Sequence, residues 1–393
     1  MGSTIAGPFC GRLFADFGAE VIKIEPREGD GVRSAGKRFQ GKSLYAASIL
    51  RNKKLISVDL RHAKGQALVR KLVPKCDVVI ENFRPGGLEK WGLGYADLSR
   101  IRPDLVMVRI SGFGQTGPYS ARPGYGIICE AASGLRHLTG DPDRPPARVA
   151  VALTDYITGL YAAFGAVMAL LHRNRTGEGQ YVDAALAEGA FSFIEPHVPA
   201  YDKLGAIANR AGSGIAGSVP NNLYPTKDGQ YIHIQAAQNT VFRRFAPAIG
   251  MPELLEDARF VDSIARGRHQ QELDGIVAGW TCIRTLQEIR EALDAADVPA
   301  MGINNVADIF KDAHFRARGM LVETPDDDLG TVTLAGPVPK LSRTPGVIRK
   351  SGGRIGQDTR SVLQELAGLT APDLQALEAE GVVFCDPTGS TAA

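Results

Sequence analysis

What this sequence lacks narrows its reading first. Its five cysteines (Cys10, Cys76, Cys129, Cys282 and Cys385) are odd in number, scattered, and form no C-x-x-C pair. That excludes a disulfide framework or cysteine zinc site and fits a reducing cytoplasm. Charge of one sign is also missing: 45 Lys and Arg against 43 Asp and Glu leave a net +2 over 393 residues. No global field draws in nucleic acid or a membrane, so an anionic ligand must be held by a local cluster. Apolar stretches are interrupted before the ~18–20 residues needed to span a bilayer. No basic region followed by an apolar run marks a signal peptide. The seven histidines show no H-E-x-x-H or other ligand spacing, so no metal is expected. No serine sits in a G-x-S-x-G elbow, which argues against a Ser-His-Asp hydrolase.

What is present reads as a cytoplasmic α/β enzyme of two or three domains. Pro8 to Phe17 predicts a helix closed by Gly18. Glu20 to Glu25, Lys54 to Leu60, Asp77 to Ile80 and Leu105 to Ile110 predict strands, with a helix over His62 to Val73. Strands separated by helices imply right-handed crossovers and a mostly parallel sheet. Tyr156 to Arg173 is the clearest helix, with apolar residues at i, i+3, i+4 spacing and Gly or Ala between them. Its small residues let another element approach closely. A strand over Gln180 to Ala184 follows. Ala206 to Pro225 reads as a long loop, and Tyr231 to Gln235 opens a smaller domain. Thr331 to Leu334 predicts a late strand, Thr359 to Gly381 two amphipathic helices, and Asp386 to Ala393 a disordered tail.

Two G-x-G-x-x-G matches, Gly112 to Gly117 and Gly212 to Gly217, lack the context of a dinucleotide site. The first follows a strand, but Pro118, Pro123 and Gly124 prevent the helix whose amides would hold a pyrophosphate. The second has no strand before it. No NAD is expected, and both read as glycine loops.

Asp155 lies directly ahead of the predicted helix. Taken alone it reads as an N-cap, worth about 1 kcal/mol. The same place suits a nucleophile, because the helix dipole favours an ionised carboxylate. The array around it decides between the two: Ala6-Gly7-Pro8; Gly18 to Glu25 with Gly29-Asp30 and Arg33; Arg51-Asn52-Lys53-Lys54 leading to Val58-Asp59-Leu60; Glu81 to Gly86; Ser111 to Pro118; and Arg173 with Thr176 to Gln180 and Val182-Asp183. In this order the array resembles the class III (CaiB/BaiF) CoA-transferase family over nearly the whole chain. Gln357, where the family often has Glu, is a departure.

The resemblance implies a Rossmann-like large domain with a smaller α+β domain, in an interlocked homodimer. The expected boundaries are 1–200 and 316–393 for the large domain and 220–315 for the small one. It implies that coenzyme A moves between an acyl-CoA donor and a carboxylic acid acceptor, with Asp155 as nucleophile. Gly212 and Gly214 match the family's mobile glycine loop, which donates amides or shields the intermediate, and Tyr125 matches an active-site aromatic. Arg33, Arg61 and Lys90 are expected at the CoA phosphates, Asn82, Phe83 and Arg84 on the adenine side, and Ile5 near the thioester. A plain linker, a core tyrosine and solvated basic residues are the bland alternatives.

The family usually opens with a short apolar strand ahead of Gly-Pro, where this sequence has Met1 to Ile5; losing it would remove a sheet strand. The family's racemases carry a His-Asp pair where this sequence has Tyr125-Gly126, so racemisation is disfavoured. Some transferases have an acidic residue at Gly126, for which Glu130 could partly substitute. A catalytically impaired CoA-binding protein is the third reading. For the acceptor, Arg136-His137 and Arg210 suggest a small dicarboxylate, unless they face solvent.

Overall fold

Helices and strands alternate through most of the chain. The structure, a computed structural model, describes residues 1–389; residues 390–393 of the predicted tail lie outside the described residues. Asp386 to Gly389 are not a loose end: the Asp386 N–H donates to the Gly356 carbonyl, and Arg354 Nη1 donates to Thr388 Oγ1 at 2.7 Å.

Two units are present. The first comprises Met1–Leu135, Val149–Pro199 and the described residues from Ala313 onward. Its elements are α1 (Ala6–Asp16), β1 (Ile22–Glu25), α2 (Leu44–Ile49), β2 (Lys54–Val58), α3 (Ala63–Leu72), β3 (Val78–Glu81), β4 (Val106–Ser111), α4 (Gly126–Ala132), α5 (Leu153–Thr176), β5 (Tyr181–Ala185) and α6 (Leu186–Phe191). The chain returns through the hairpin β6 (Leu321–Asp326) and β7 (Gly330–Ala335), then α7 (Thr359–Ala367), α8 (Ala371–Ala379) and β8 (Val383–Phe384).

The expected single sheet is divided in two. One sheet has the order β1-β2-β8, with β8 antiparallel to β2; the other is the parallel set β3-β4-β5. β1 and β3 are therefore edges. The Val21 carbonyl accepts from the Lys54 N–H and the Asp77 carbonyl from the Val106 N–H. Because backbone groups alternate sides along a strand, those of Ile22, Ile24, Val78 and Ile80 turn away from their sheets. These four residues line a cavity of about 440 Å³, with Met1 and Lys53 also on its wall. The Met1 amine donates to the Ile80 carbonyl at 2.7 Å, and burial pushes it down to about 5. Burial likewise holds Lys53 well below its usual range, although its ammonium donates to the Pro8 and Ile49 carbonyls.

α5 starts earlier and ends later than predicted. Its small residues have identifiable neighbours: a Cβ on Gly159 would lie 2.6 Å from Phe9 of α1, and one on Gly165 would lie 2.7 Å from Val182 of β5. Glycine at these two points lets α1 and β5 close on the helix, and overpacking either would cost about 1–3 kcal/mol. Arg173 and Arg175 occupy the negative C-terminal end, and Gly177 closes it in the left-handed region at φ 79°. By length and composition alone α5 could cross a membrane.

The second unit comprises Arg136–Arg148 and Ala200–Asp312. Its antiparallel sheet pairs Tyr231–Gln235 with Asn221–Pro225 on one side and Ala300–Gly302 on the other, so the end of the predicted long loop is a strand. Phe242, Phe245, Phe260 and Trp280 form its core. Arg266 is buried among them and satisfied by the Val219, Phe260 and Ala237 carbonyls.

Candidate active site

Asp155 is the third residue of α5, and Ala152, with no side-chain cap, holds the N-cap position. The N-cap expectation for Asp155 is corrected on this point: the helix starts at Leu153, which puts the carboxylate inside the first turn, still at the positive end of the peptide dipoles. The preceding residue, Thr154, is buried, and its Oγ1 donates to the Gly126 carbonyl at 2.9 Å. That bond pins the start of α4 to the start of α5. A Cβ built on Gly126 would lie 2.1 Å from Asp155 Oδ2, so the carboxylate rests directly against the α4 backbone.

The loop that resembled a dinucleotide fingerprint supports this arrangement. A Cβ on Gly112 would meet the Gly124 Cα at 2.9 Å, so two glycines cross where the chain enters α4. The Cys129 thiol donates to the Gly112 carbonyl at 3.2 Å, and burial and then the Asp155 charge push it up to about 11. Glu130, one turn beyond Gly126, is buried, and its Oε1 has no hydrogen-bond partner among the described residues.

A second group of residues comes from α1 and α2. The hydroxyls of Tyr45 and Tyr156 are 2.9 Å apart. Tyr156 meets Phe9 edge-on with ring centroids 4.7 Å apart, and the Arg12 guanidinium lies 4.5 Å from the Phe9 centroid. Burial raises the Tyr45 phenol first, the bond to Tyr156 adds to this, and the Asp155 charge adds further while Arg12 opposes it. Tyr45 thus stands within the fields of both the carboxylate and the guanidinium. Sequence reading missed Arg12, Tyr45 and Tyr156 as site residues. The only signal was that Tyr156 adjoins Asp155.

The other expected residues are more dispersed. Tyr125 is the N-cap of α4 and 75% exposed, so it is no core tyrosine. Ile5 precedes α1 and packs partly buried against the cluster containing Phe9 and Val32. Arg33 is fully engaged, with two bonds to Glu25 at 2.8 and 2.7 Å and one to the Gly353 carbonyl at 2.9 Å. Arg61 is exposed and forked onto Asp59. Lys90 and Arg84 are exposed. Asn82 clamps the backbone of Ser3, accepting at 2.7 Å and donating at 2.9 Å. Phe83 is half-buried and edge-on against Trp91, with ring centroids 5.7 Å apart.

Gly212 and Gly214 belong to the second unit, and their N–H groups already donate to the Gly140 and Ala211 carbonyls. Arg210 lies in the same unit and donates to the Asp141 and His137 carbonyls. None of the described His, Cys, Asp and Glu residues forms a group of three or more that could hold a metal ion.

Comparison with known proteins bears on what this geometry is for. A family model described as CoA-transferase family III matches residues 1–359. The chain is 46% identical over 385 residues to a succinyl-CoA–D-citramalate CoA-transferase of Chloroflexus aurantiacus, covering 98% of this chain and 96% of that one. It is 40% identical to the beta subunit of a succinyl-CoA–L-malate CoA-transferase of the same organism, covering 97% and 95%. Among solved structures, a CAIB/BAIF family protein from Brucella suis matches with a TM-score of 0.83 at 34% identity, covering 93% of this chain and 97% of that one.

Proposed function

The chain belongs to CoA-transferase family III, and from that premise we propose that it exchanges coenzyme A between an acyl-CoA donor and a dicarboxylic acid, with Asp155 as the nucleophile. The observation that carries the reading is the Asp155 carboxylate, seated in the first turn of α5 against the bare backbone of Gly126. The dicarboxylate class rests on the acids in the relatives' names: succinyl, citramalate and malate.

An Asp155 oxygen attacks the donor thioester carbonyl; the C–S bond breaks, giving a mixed anhydride and CoA thiolate. The thiolate attacks the aspartyl carbonyl, releasing the donor acid and leaving an aspartyl-CoA thioester. The acceptor carboxylate attacks that thioester, again freeing CoA thiolate and forming a second anhydride. The thiolate then attacks the acceptor acyl carbonyl, which yields product acyl-CoA and restores Asp155. Covalent catalysis divides one hard exchange into easier steps. Each tetrahedral intermediate needs amide donors, a role we assign to the loop of Gly212 and Gly214 after it gives up its present bonds. Lys90 and Arg84, both exposed, are the proposed CoA contacts together with Asn82 and Phe83. Arg33 and Arg61 would first have to leave Glu25 and Asp59.

A homodimer is proposed on the apolar stripe of Leu160, Phe164, Met168 and Leu171, all exposed along α5. The interlocked form rests on the family resemblance, and a cytoplasmic setting on the free cysteines.

The test is incubation with succinyl-CoA, followed by hydroxylamine and peptide mapping. A hydroxamate on the Asp155 peptide, absent from Asp155→Ala, is the expected result. CoA binding with no adduct and no exchange would return the reading to a non-catalytic CoA-binding protein.

A further inference from the structure

Arg12 carries a charge the fold does not use up. Its nearest carboxylate, Asp16, is 3.9 Å away. That carboxylate is already committed: Arg51 donates to it at 3.0 and 2.6 Å, and Asn52 at 2.9 Å. Arg51 and Asp16 are 1% and 2% exposed, so this is a closed, buried pair. Arg12 Nε is buried with no hydrogen-bond partner among the described residues, while the side chain as a whole keeps 16% of its surface open. Burial, and next the like charge of Arg51, push the guanidinium down to about 10. Among the described residues one cation is thus in surplus, partly desolvated and placed over the Phe9 ring.

Its surroundings indicate which anion it takes. Phe9 links Arg12 to Tyr156, Tyr156 shares a hydroxyl contact with Tyr45, and Tyr156 directly follows Asp155. Only one hydroxyl hydrogen is needed between the two tyrosines, so the other is available to a ligand. A planar guanidinium with a neighbouring phenol suits a carboxylate, which can take a forked pair of N–H bonds.

We propose that Arg12, assisted by the Tyr45–Tyr156 pair, binds the second carboxylate of a dicarboxylic acyl group whose first carboxyl reacts at Asp155. The inference deepens the transferase reading and rests on it for the reaction. It replaces Arg136 and Arg210 as candidates for that contact. Arg12 touches the substrate away from the reacting carbon, so it sets specificity and leaves the chemistry to Asp155.

The test compares two acceptors that differ by one carboxylate, L-malate and L-2-hydroxybutyrate, with succinyl-CoA as donor. In Arg12→Gln the ratio of their kcat/KM values should fall about 10- to 100-fold, the range for losing a charge-assisted pair. Arg12→Lys should recover part of it, and circular dichroism checks that both variants fold. Should Arg12→Gln fail to fold, Arg12→Lys alone carries the test, with a fall of several-fold in the ratio expected. An unchanged ratio, with both acceptors slowed alike, overturns the proposal and makes Arg12 a purely structural residue. An equal rise in KM for succinyl-CoA and for acetyl-CoA, a donor with no second carboxylate, overturns it in favour of a CoA phosphate contact. Thermal shift with malate separates the two readings. If the native protein transfers no CoA yet malate raises its Tm, and that rise is lost in Arg12→Gln, the binding site stands and the transferase reading falls. No transfer and no malate-dependent shift overturns both.

Discussion

A single methyl group separates Gly126 from alanine, and the structure leaves it no room beside Asp155 Oδ2. Gly126→Ala must therefore turn the carboxylate or move the start of α4. A displacement near 1 Å at a reacting group costs about 100-fold in rate. We expect kcat to fall by about that factor with the hydroxamate yield reduced in parallel, measured with succinyl-CoA. The loss of Tm should stay small, since the strain is borne by the end of a side chain. A kcat within twofold of the native value would mean that Asp155 relocates freely. At the residue scale, the expected phosphate ligands Arg33 and Arg61 already have acidic partners. Arg33 and Arg61 match the family pattern, but Glu25 and Asp59 neutralise them, and a sequence does not distinguish a paired cation from a free one.

At the scale of elements, the division between β1-β2-β8 and β3-β4-β5 is the most consequential departure from the predicted single sheet. Adjacent strands lie about 4.7–4.9 Å apart, so an added strand reaching both edges must enter the cavity between β1 and β3. A six-residue segment of alternating β-branched residues joined ahead of Met1 tests this. It would convert the buried Met1 amine into a peptide N–H and offer acceptors to the outward N–H groups of Ile22, Ile24, Val78 and Ile80, the Ile24 and Ile80 carbonyls already accepting from Lys23 and Met1. Four such bonds, at about 1 kcal/mol each, should raise the apparent Tm by about 5 °C in calorimetry. An unchanged or lowered Tm would show that the cavity does not accept a strand. The small residues of α5 belong to this scale as well. Periodicity showed that something must approach them, but Phe9 and Val182 as the approaching side chains follow only from the packing.

For the whole molecule, the near balance of charge leaves recognition to local groups, and an apolar face of α5 is exposed. Leu160, Phe164, Met168 and Leu171 recur at helical spacing with Phe164 65% exposed. A stripe of this kind marks an interface more often than a free surface. Phe164→Lys, placing a charge within it, should convert the proposed homodimer to a monomer in size-exclusion chromatography with light scattering, with the circular dichroism spectrum preserved. A native protein that is itself monomeric at micromolar concentration would set the homodimer aside.

The sequence by itself determined the elements whose signals are local and periodic: the small-residue helix, the strands around it, and Asp155 at the helix entrance. It also carried the family, because many short motifs in one order are specific where each is weak. The tertiary structure decided which groups share space. Tyr45 and Tyr156 meet across 111 residues of sequence, and Gly126 lies against Asp155 only because two glycines cross at the entrance to α4. It also decided which cations are committed, pairing Arg51 with Asp16 and leaving Arg12 over. The physical reason is the range of the interactions. Helix and strand patterns are set by neighbours within about four positions. Burial, charge compensation and close backbone approach depend on residues that the fold alone brings together.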